Sequence, residues 1–177
     1  GSQGYQVGSA GRRLDGWGRA AGEMSANDGG SLHACAADVS DPIAVRKLFD
    51  FIEDKFGRLD LLVNNAGVFV RGVPLEELSV DEWNTIVGAN LTGAFLCTQQ
   101  AFRIMQAQVP RGGRIINNGS VSATTPRPNS APYTATQHAI TGLHNSHPLD
   151  GRAFDTDCGT HHTGNAPRDL TTPITLG

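Results

Sequence analysis

Leu59-Asp60-Leu61-Leu62-Val63 is a short, mostly apolar run that breaks off at Asn64-Asn65-Ala66-Gly67. A run of this length between turn signals reads as a buried strand, Leu59–Val63. Strands of a parallel sheet covered on both faces look like this, because neither side of the strand meets water. A polar pair, a small residue and a glycine at the carboxyl end of such a strand sit where open α/β sheets bind ligands. Ala66 and Gly67 would let a flat or phosphorylated ligand come close to the backbone. The same four residues could equally form an ordinary turn, which Asn and Gly favour.

Short apolar runs alternate with helical patterns on both sides of this segment, the signature of a doubly wound parallel sheet. Upstream, Gly4 to Ala10 reads as a strand ending at Gly11-Arg12-Arg13, and Leu14 to Met24 as a helix weakened by Gly16, Gly18 and Gly22. Ser31 to Val39 is the next strand, ending at Asp38. Ser40 or Asp41 can cap the helix that follows, with Pro42 in its first turn. Its apolar stripe is Val45, Leu48, Phe49, Ile52 and Phe56, and Gly57 stops it. Downstream, Ser79 and Glu82 make a capping box for a helix that could run to about Gln108. Arg114 to Asn117 is a strand, and Ala131 to about Ser146 is a helix that Pro148 stops. Beyond Phe154 the pattern fades, since Asp155, Asp157, His161 and His162 would make a poor buried strand. No repeat or internal linker divides the chain, so residues 1–177 read as one domain.

The bulk composition narrows the function classes. A formal charge of −3 gives no basic footprint for nucleic acid or an anionic membrane. No apolar run reaches the roughly 18 residues of a membrane span, and the first residues lack a signal-peptide pattern, so a cytoplasmic protein is expected. Cys35, Cys97 and Cys158 have neither disulfide arithmetic nor metal-ligand spacing. His144, His147, His161 and His162 find no carboxylate or thiol to complete a four-ligand set, so no metal is expected.

Ser120 follows the strand Arg114–Asn117, and Tyr133 lies thirteen residues later at the start of a helix. A hydroxyl and a phenol brought together can hold a carbonyl oxygen, with the phenol placed to give or take a proton as hydride moves at the adjacent carbon. The order Asn64-Asn65-Ala66-Gly67, then Asn90, Ser120 and Tyr133 resembles the short-chain dehydrogenase/reductase family, from about Gly4 to about Thr163. The resemblance implies a Rossmann-type three-layer α/β/α fold and reversible oxidation of an alcohol to a carbonyl with a nicotinamide cofactor. By that resemblance Tyr133 is the general acid or base, Ser120 orients the carbonyl, and Asn90 holds a water in the proton relay. Asn64, Asn65, Ala66 and Gly67 stabilise the sheet and line the adenosine side.

Further family positions map less closely. Arg12 and Arg13 end the strand whose last residue sorts the two cofactors; Arg suits a ribose 2′-phosphate, so NADP(H) is favoured over NAD(H). Asp38 and Val39 match the adenine-contacting pair. Cys158-Gly159-Thr160-His161-His162-Thr163 keeps the spacing of a motif whose threonine, here Thr163, bonds the nicotinamide amide. The family also implies a homodimer or homotetramer built on its two long helices, here about Ser79–Gln108 and Ala131–Ser146, with Ile86, Leu91, Phe95 and Phe102 among their apolar residues.

Two departures stand against these matches. The family's Tyr-x-x-x-Lys reads Tyr133-Thr134-Ala135-Thr136-Gln137, and Gln137 can donate to a ribose hydroxyl but carries no charge. Reduced turnover is the expected result. His138, one step round the helix, is read as a surface or packing residue rather than a replacement. The glycine-rich phosphate turn is also missing: Gly4, Gly8 and Gly11 have the wrong spacing and no strand before them. Gly4–Arg13 then corresponds to the family's second strand, and the first strand with its turn is expected to be absent from this chain. A non-catalytic relative or inactive fragment is the alternative reading.

Overall fold

The computed structural model describes residues 5–12, 30–69 and 72–163. Arg13 and the proposed helix Leu14–Met24 lie outside the described residues. Five strands are parallel: β1 (Gln6–Gly11) pairs with β2 (Ser31–Ala36), and β3 (Leu61–Asn64), β4 (Gly113–Ser120) and β5 (Thr156–Thr163) form a second ladder. Among the described residues no ladder joins β1 to β3.

Helix α1 (Pro42–Phe56) forms as its sequence dictates. Asp41 caps it by accepting from the Ile43 amide at 2.9 Å. Gly57 ends it at φ 68°, a left-handed conformation that a side chain would resist, and its amide returns to the Glu53 carbonyl. The stripe Val45, Leu48, Phe49 and Ile52 is buried, and Phe56 meets the His33 ring edge-on. Helices α2 (Val80–Val87) and α3 (Gly93–Ala107) are one helical path joined by a π turn, Gly88–Thr92. The Ser79–Glu82 capping box starts it, with both reciprocal hydrogen bonds made.

The core is one cluster. Val45, Leu48, Phe49 and Ile52 of α1 and Cys97, Ala101, Ile104 and Met105 of α3 close over Ile115, with Ala10, Cys35, Leu62 and Cys158 packed against them. It therefore spans both ladders from one face of the sheet. On the opposite face Leu61 and Val63 are 48% and 51% exposed. At the far edge Gln108 acts as a polar rivet. Its amide accepts from Leu59 N at 2.9 Å and donates to Leu59 O at 3.1 Å and Gly112 O at 2.6 Å.

Two sequence expectations fail at the carboxyl end. Helix α4 (Ala131–Gly151) does not stop at Ser146 but runs through Pro148. An internal proline costs a helix about 3 kcal/mol, and tertiary packing offsets it here. His147 is buried against Phe102, with its Nδ1 3.4 Å from Cys158 Sγ. Gly151 lets the Thr156 carbonyl approach to where a Cβ would lie only 2.6 Å away. The polar segment after Phe154 is likewise a strand. In β5 Thr156 and Cys158 turn inward while Asp157 faces out and pairs with Arg114 at 2.9 Å. Alternation and a full ladder to β4 outweigh the weak composition. The helix surface expected to hold a second copy also changes: Ile86 is 1% exposed and Phe102 packs on His147, which leaves Phe95, 45% exposed.

Gln108→Ala should cost about 1–3 kcal/mol, because it strands buried backbone groups, and urea unfolding reads it directly. Burial first, then His144, holds the His147 imidazole below its ordinary pKa, while Asp150 pulls the other way. Below the ordinary histidine value the unfolded chain takes up a proton that the folded chain refuses. Stability is therefore expected to fall as pH drops from about 6.5. Thermal unfolding at a series of pH values should show that loss blunted in His147→Phe.

Candidate active site

Parallel pairing within each ladder brings the chemistry-bearing residues to the strands' carboxyl ends. Arg12 follows β1, Asp38 follows β2, Asn64 ends β3 ahead of Asn65-Ala66-Gly67, and Ser120 ends β4. Thr163 stands opposite Ser120 in the β4–β5 register; its side chain lies outside the description. Val39 and Ser40 pack against the π turn in the middle of the helical path. A Cβ on Gly93 would sit 2.6 Å from Val39 Cγ2, and one on Gly88 would sit 3.4 Å from Ser40 Cβ. Both glycines thus allow the β2 end to rest on the π turn.

The Asp38 carboxylate accepts from the Ser40 hydroxyl at 2.7 Å and the Ser40 amide at 2.9 Å. These bonds, the hydroxyl first, hold its pKa below the usual carboxylate range, and the charge of Arg12 adds a smaller pull. Arg12 and Asp38 therefore form a mixed-charge rim over β1 and β2.

Asn64 and Asn65 do different work. The Asn64 amide points inward, donating to Asn117 Oδ1 at 2.9 Å and Thr98 Oγ1 at 3.1 Å, which ties β3 to β4 and α3. Asn65 is exposed and accepts from Asn118 Nδ2 at 2.6 Å, so Ala66 and Gly67 stay open at the edge. Asn90, in the π turn, is 5% exposed and clasps the next residue of that loop. It accepts from Val68 N at 2.7 Å and donates to Val68 O at 3.0 Å. A π turn breaks helix regularity and is frequent at functional sites; here it turns an amide out of the helix to meet the loop.

Tyr133 and Gln137 are one turn apart on α4. Tyr133 is half-buried and meets Phe69 edge-to-face, with ring centroids 5.4 Å apart. Gln137 is buried, and its Oε1 is enclosed without a hydrogen-bond partner. Ser120 Oγ accepts from Ser122 N at 3.2 Å, and the Val121–Ala123 turn packs on α4. No hydrogen bond joins Ser120 to Tyr133 among the described residues. His138 lies exposed with Nδ1 2.9 Å from Thr134 O, a local helix contact. Burial pushes the Cys97 and Cys158 thiols up to about 11, so neither is a thiolate at neutral pH. No group of three or more metal-ligating side chains occurs among the described residues, and none of their helices is long and apolar enough to cross a membrane.

Four contributors escaped the sequence. Thr136, 1% exposed, donates to Tyr133 O at 2.8 Å and lies 3.5 Å from Asn90 Nδ2, linking the loop clasp to α4. Asn117 and Asn118 hold the two loop asparagines, and aligning β3 with β4 in parallel would have put Asn117 opposite Asn64. Phe69 is 64 residues from Tyr133, and no local signal announces their contact.

The short chain dehydrogenase family model matches residues 1–153, and the chain belongs to that family. It is 35% identical over 147 residues to a 3beta-hydroxysteroid dehydrogenase of Mediterraneibacter gnavus, covering 83% of this chain and 51% of the relative. It is 38% identical over 121 residues to a 3-oxoacyl-[acyl-carrier-protein] reductase of Synechocystis, covering 68% of this chain and 47% of the relative. The chain thus spans about half the length of these relatives. Among solved structures, a gluconate 5-dehydrogenase from Burkholderia cenocepacia in complex with NADP and tartrate superposes with a TM-score of 0.84 at 29% identity, over 94% of this chain and 64% of that one. A family member from Burkholderia phymatum in complex with NAD gives 0.84 at 26% identity, over 92% of this chain and 57% of that one.

Asn90→Ala should release Val68 and cost about 1–3 kcal/mol from the unpaired backbone groups. Hydrogen exchange is the readout: the Val68 amide should exchange faster while amides of α1 keep their protection.

Proposed function

We propose that this chain carries the carbonyl-handling and much of the cofactor-handling surface of an NADP(H)-dependent oxidoreductase that interconverts an alcohol and a carbonyl. The observation that carries the reading is the shared location of Asn65–Gly67 and Ser120 at strand ends, beside the helix that presents Tyr133 and Gln137. The enclosed, unpartnered Oε1 of Gln137 fits a ribose hydroxyl as donor, and the open Ala66–Gly67 edge fits the close approach of a nucleotide. Two relatives solved with a nicotinamide cofactor each superpose over nearly the whole chain. The cofactor, when bound, supplies or accepts the hydride.

In this reading Tyr133 gives a proton to the oxygen of the carbonyl as it is reduced, or takes one from the alcohol. Ser120 holds the same oxygen in place. Asn90 would hold a water of the proton relay, from an amide that is already bonded to both backbone groups of Val68. Arg12 and Arg13 favour a ribose 2′-phosphate, Asp38 and Val39 border the adenine, Asn64 and Asn65 shape the edge, and Thr163 meets the nicotinamide amide. Phe95 supports a homodimer or homotetramer through α3 and α4, and the cytoplasm suits such an enzyme.

Gln137 favours a weakened catalyst. Without a cation at that position the tyrosinate loses its electrostatic support. A tuned acid or base contributes about 10²- to 10⁴-fold in rate. Gln137→Lys should therefore raise kcat within that range, measured by NADPH oxidation on simple ketones, and Tyr133→Phe should abolish the gain. NADPH binding by fluorescence titration is the companion test. A folded protein that binds no NADPH would instead support a non-catalytic relative.

A further inference from the structure

One side chain holds both ends of the contact between Phe69 and Tyr133. Asn90, 5% exposed in the π turn, accepts from Val68 N at 2.7 Å and donates to Val68 O at 3.0 Å, which fixes the residue just before Phe69. It also donates to Thr136 Oγ1 at 3.5 Å. Thr136 in turn donates to Tyr133 O at 2.8 Å. The Phe69 and Tyr133 rings meet edge-to-face, with centroids 5.4 Å apart. These contacts close a ring, from Asn90 through Val68, Phe69, Tyr133 and Thr136 back to Asn90.

Hydrogen-bond capacity fixes the direction of each bond in that ring. A threonine hydroxyl has one hydrogen and two lone pairs. The hydrogen goes to the Tyr133 carbonyl, so toward Asn90 the hydroxyl can only accept. A side-chain amide has two hydrogens, and Asn90 places one on Val68 and the other on Thr136. What Asn90 keeps for a water is the second lone pair of its Oδ1. Thr136 is 1% exposed, so solvent does not compete for its hydroxyl. Helix geometry also pairs the Tyr133 carbonyl with the Gln137 amide, so that peptide is held by two donors. Thr141 and Ser146 bond back to helix carbonyls too, yet neither is buried. What sets Thr136 apart is the Asn90 amide behind it.

We infer that Thr136 is the positioning residue for Tyr133: its hydroxyl is the joint through which the Asn90 clasp sets where the phenol sits against the loop after β3. The inference rests on the reading that Tyr133 transfers the proton. Without the hydroxyl Asn90 still holds Val68, but its tie to the Tyr133 backbone is gone. The contact with Phe69, itself half-exposed, then has to hold the phenol against the loop. A misplacement of about 1 Å costs about 10²-fold in rate even when its source lies away from the chemistry. A hydroxyl that touches neither substrate nor cofactor therefore still bears on turnover.

The test uses the whole chain, with one readout of position and one of rate. The sequence has two tyrosines, Tyr5 and Tyr133, so NMR of ring-labelled tyrosine gives two sets of signals, and Tyr5→Phe assigns them. Thr136→Val removes the hydroxyl and keeps the shape, whereas Thr136→Ser keeps the hydroxyl. Thr136→Val should shift the Tyr133 ring signals and weaken the cross-peak between Tyr133 and Phe69. Thr136→Ser should leave both as in the wild type. In NADPH oxidation with cyclohexanone, Thr136→Val should lower kcat about 10- to 100-fold and leave KM and NADPH affinity within about twofold. A role in packing alone gives neither this split nor its rescue by serine. Circular dichroism checks folding, and if Thr136→Val does not fold, Thr136→Ala carries the same comparison. Unchanged Tyr133 signals in the folded hydroxyl-free variant, an unchanged kcat, or a serine variant that behaves like it overturns the inference. Ring signals that depend on the hydroxyl, without NADPH oxidation by the wild type, uphold the positioning role and refute the oxidoreductase reading. NADPH oxidation that is indifferent to the hydroxyl refutes the positioning role alone.

Discussion

A half-buried amide on Asn64 governs the geometry of the carboxyl end of β3. Its donors reach Asn117 on the neighbouring strand and Thr98 on α3, so one side chain ties sheet to helix where the strand ends. A polar group in that position must be satisfied or it costs about 1–3 kcal/mol. The need for partners specifies the register of β3 against β4 as firmly as the apolar contacts do. With Asn64 turned inward, Asn65, Ala66 and Gly67 are left facing out. The exposed edge is thus a consequence of the inward bond.

A second polar lock works on the same loop from the other side. The π turn at Gly88–Thr92 presents Asn90 to both backbone groups of Val68, and Thr136 carries the contact on to the carbonyl of Tyr133. Gly88 and Gly93 lie next to Ser40 and Val39, which joins the end of β2 to this assembly. Four segments distant in sequence therefore meet around one irregular turn. Buried, mutually satisfied networks of this kind hold a single arrangement, since loosening one member strands the next.

The carboxyl end shows tertiary packing overriding local preference. Pro148 and the histidines of α4 argue for an early stop, and the polar run after Phe154 argues against a strand. Yet His147 fills the space between Phe102 and Cys158, and β5 completes the ladder on β4. A proline's local penalty is a few kcal/mol. Burial of a ring and eight residues of ladder together exceed it.

The sequence by itself determined the parallel α/β class, the capped helices and the family, because apolar period, capping residues and the Asn-Asn-Ala-Gly, Ser and Tyr order are all local or fixed-spacing signals. It also placed Asn64, Ser120 and Tyr133 near the ends of their elements and Asn90 within the helical path that starts at Ser79. Only the tertiary structure decided that Asn64 points in while Asn65 points out, that Asn90 clasps Val68, and that Phe69 leans on Tyr133. It alone revealed β5, the helix through Pro148, and the burial of Ile86. Each of these depends on which distant groups come to share a space. Hydrogen-bond partners and packing neighbours are set by the folded chain, and no periodicity along the sequence encodes them.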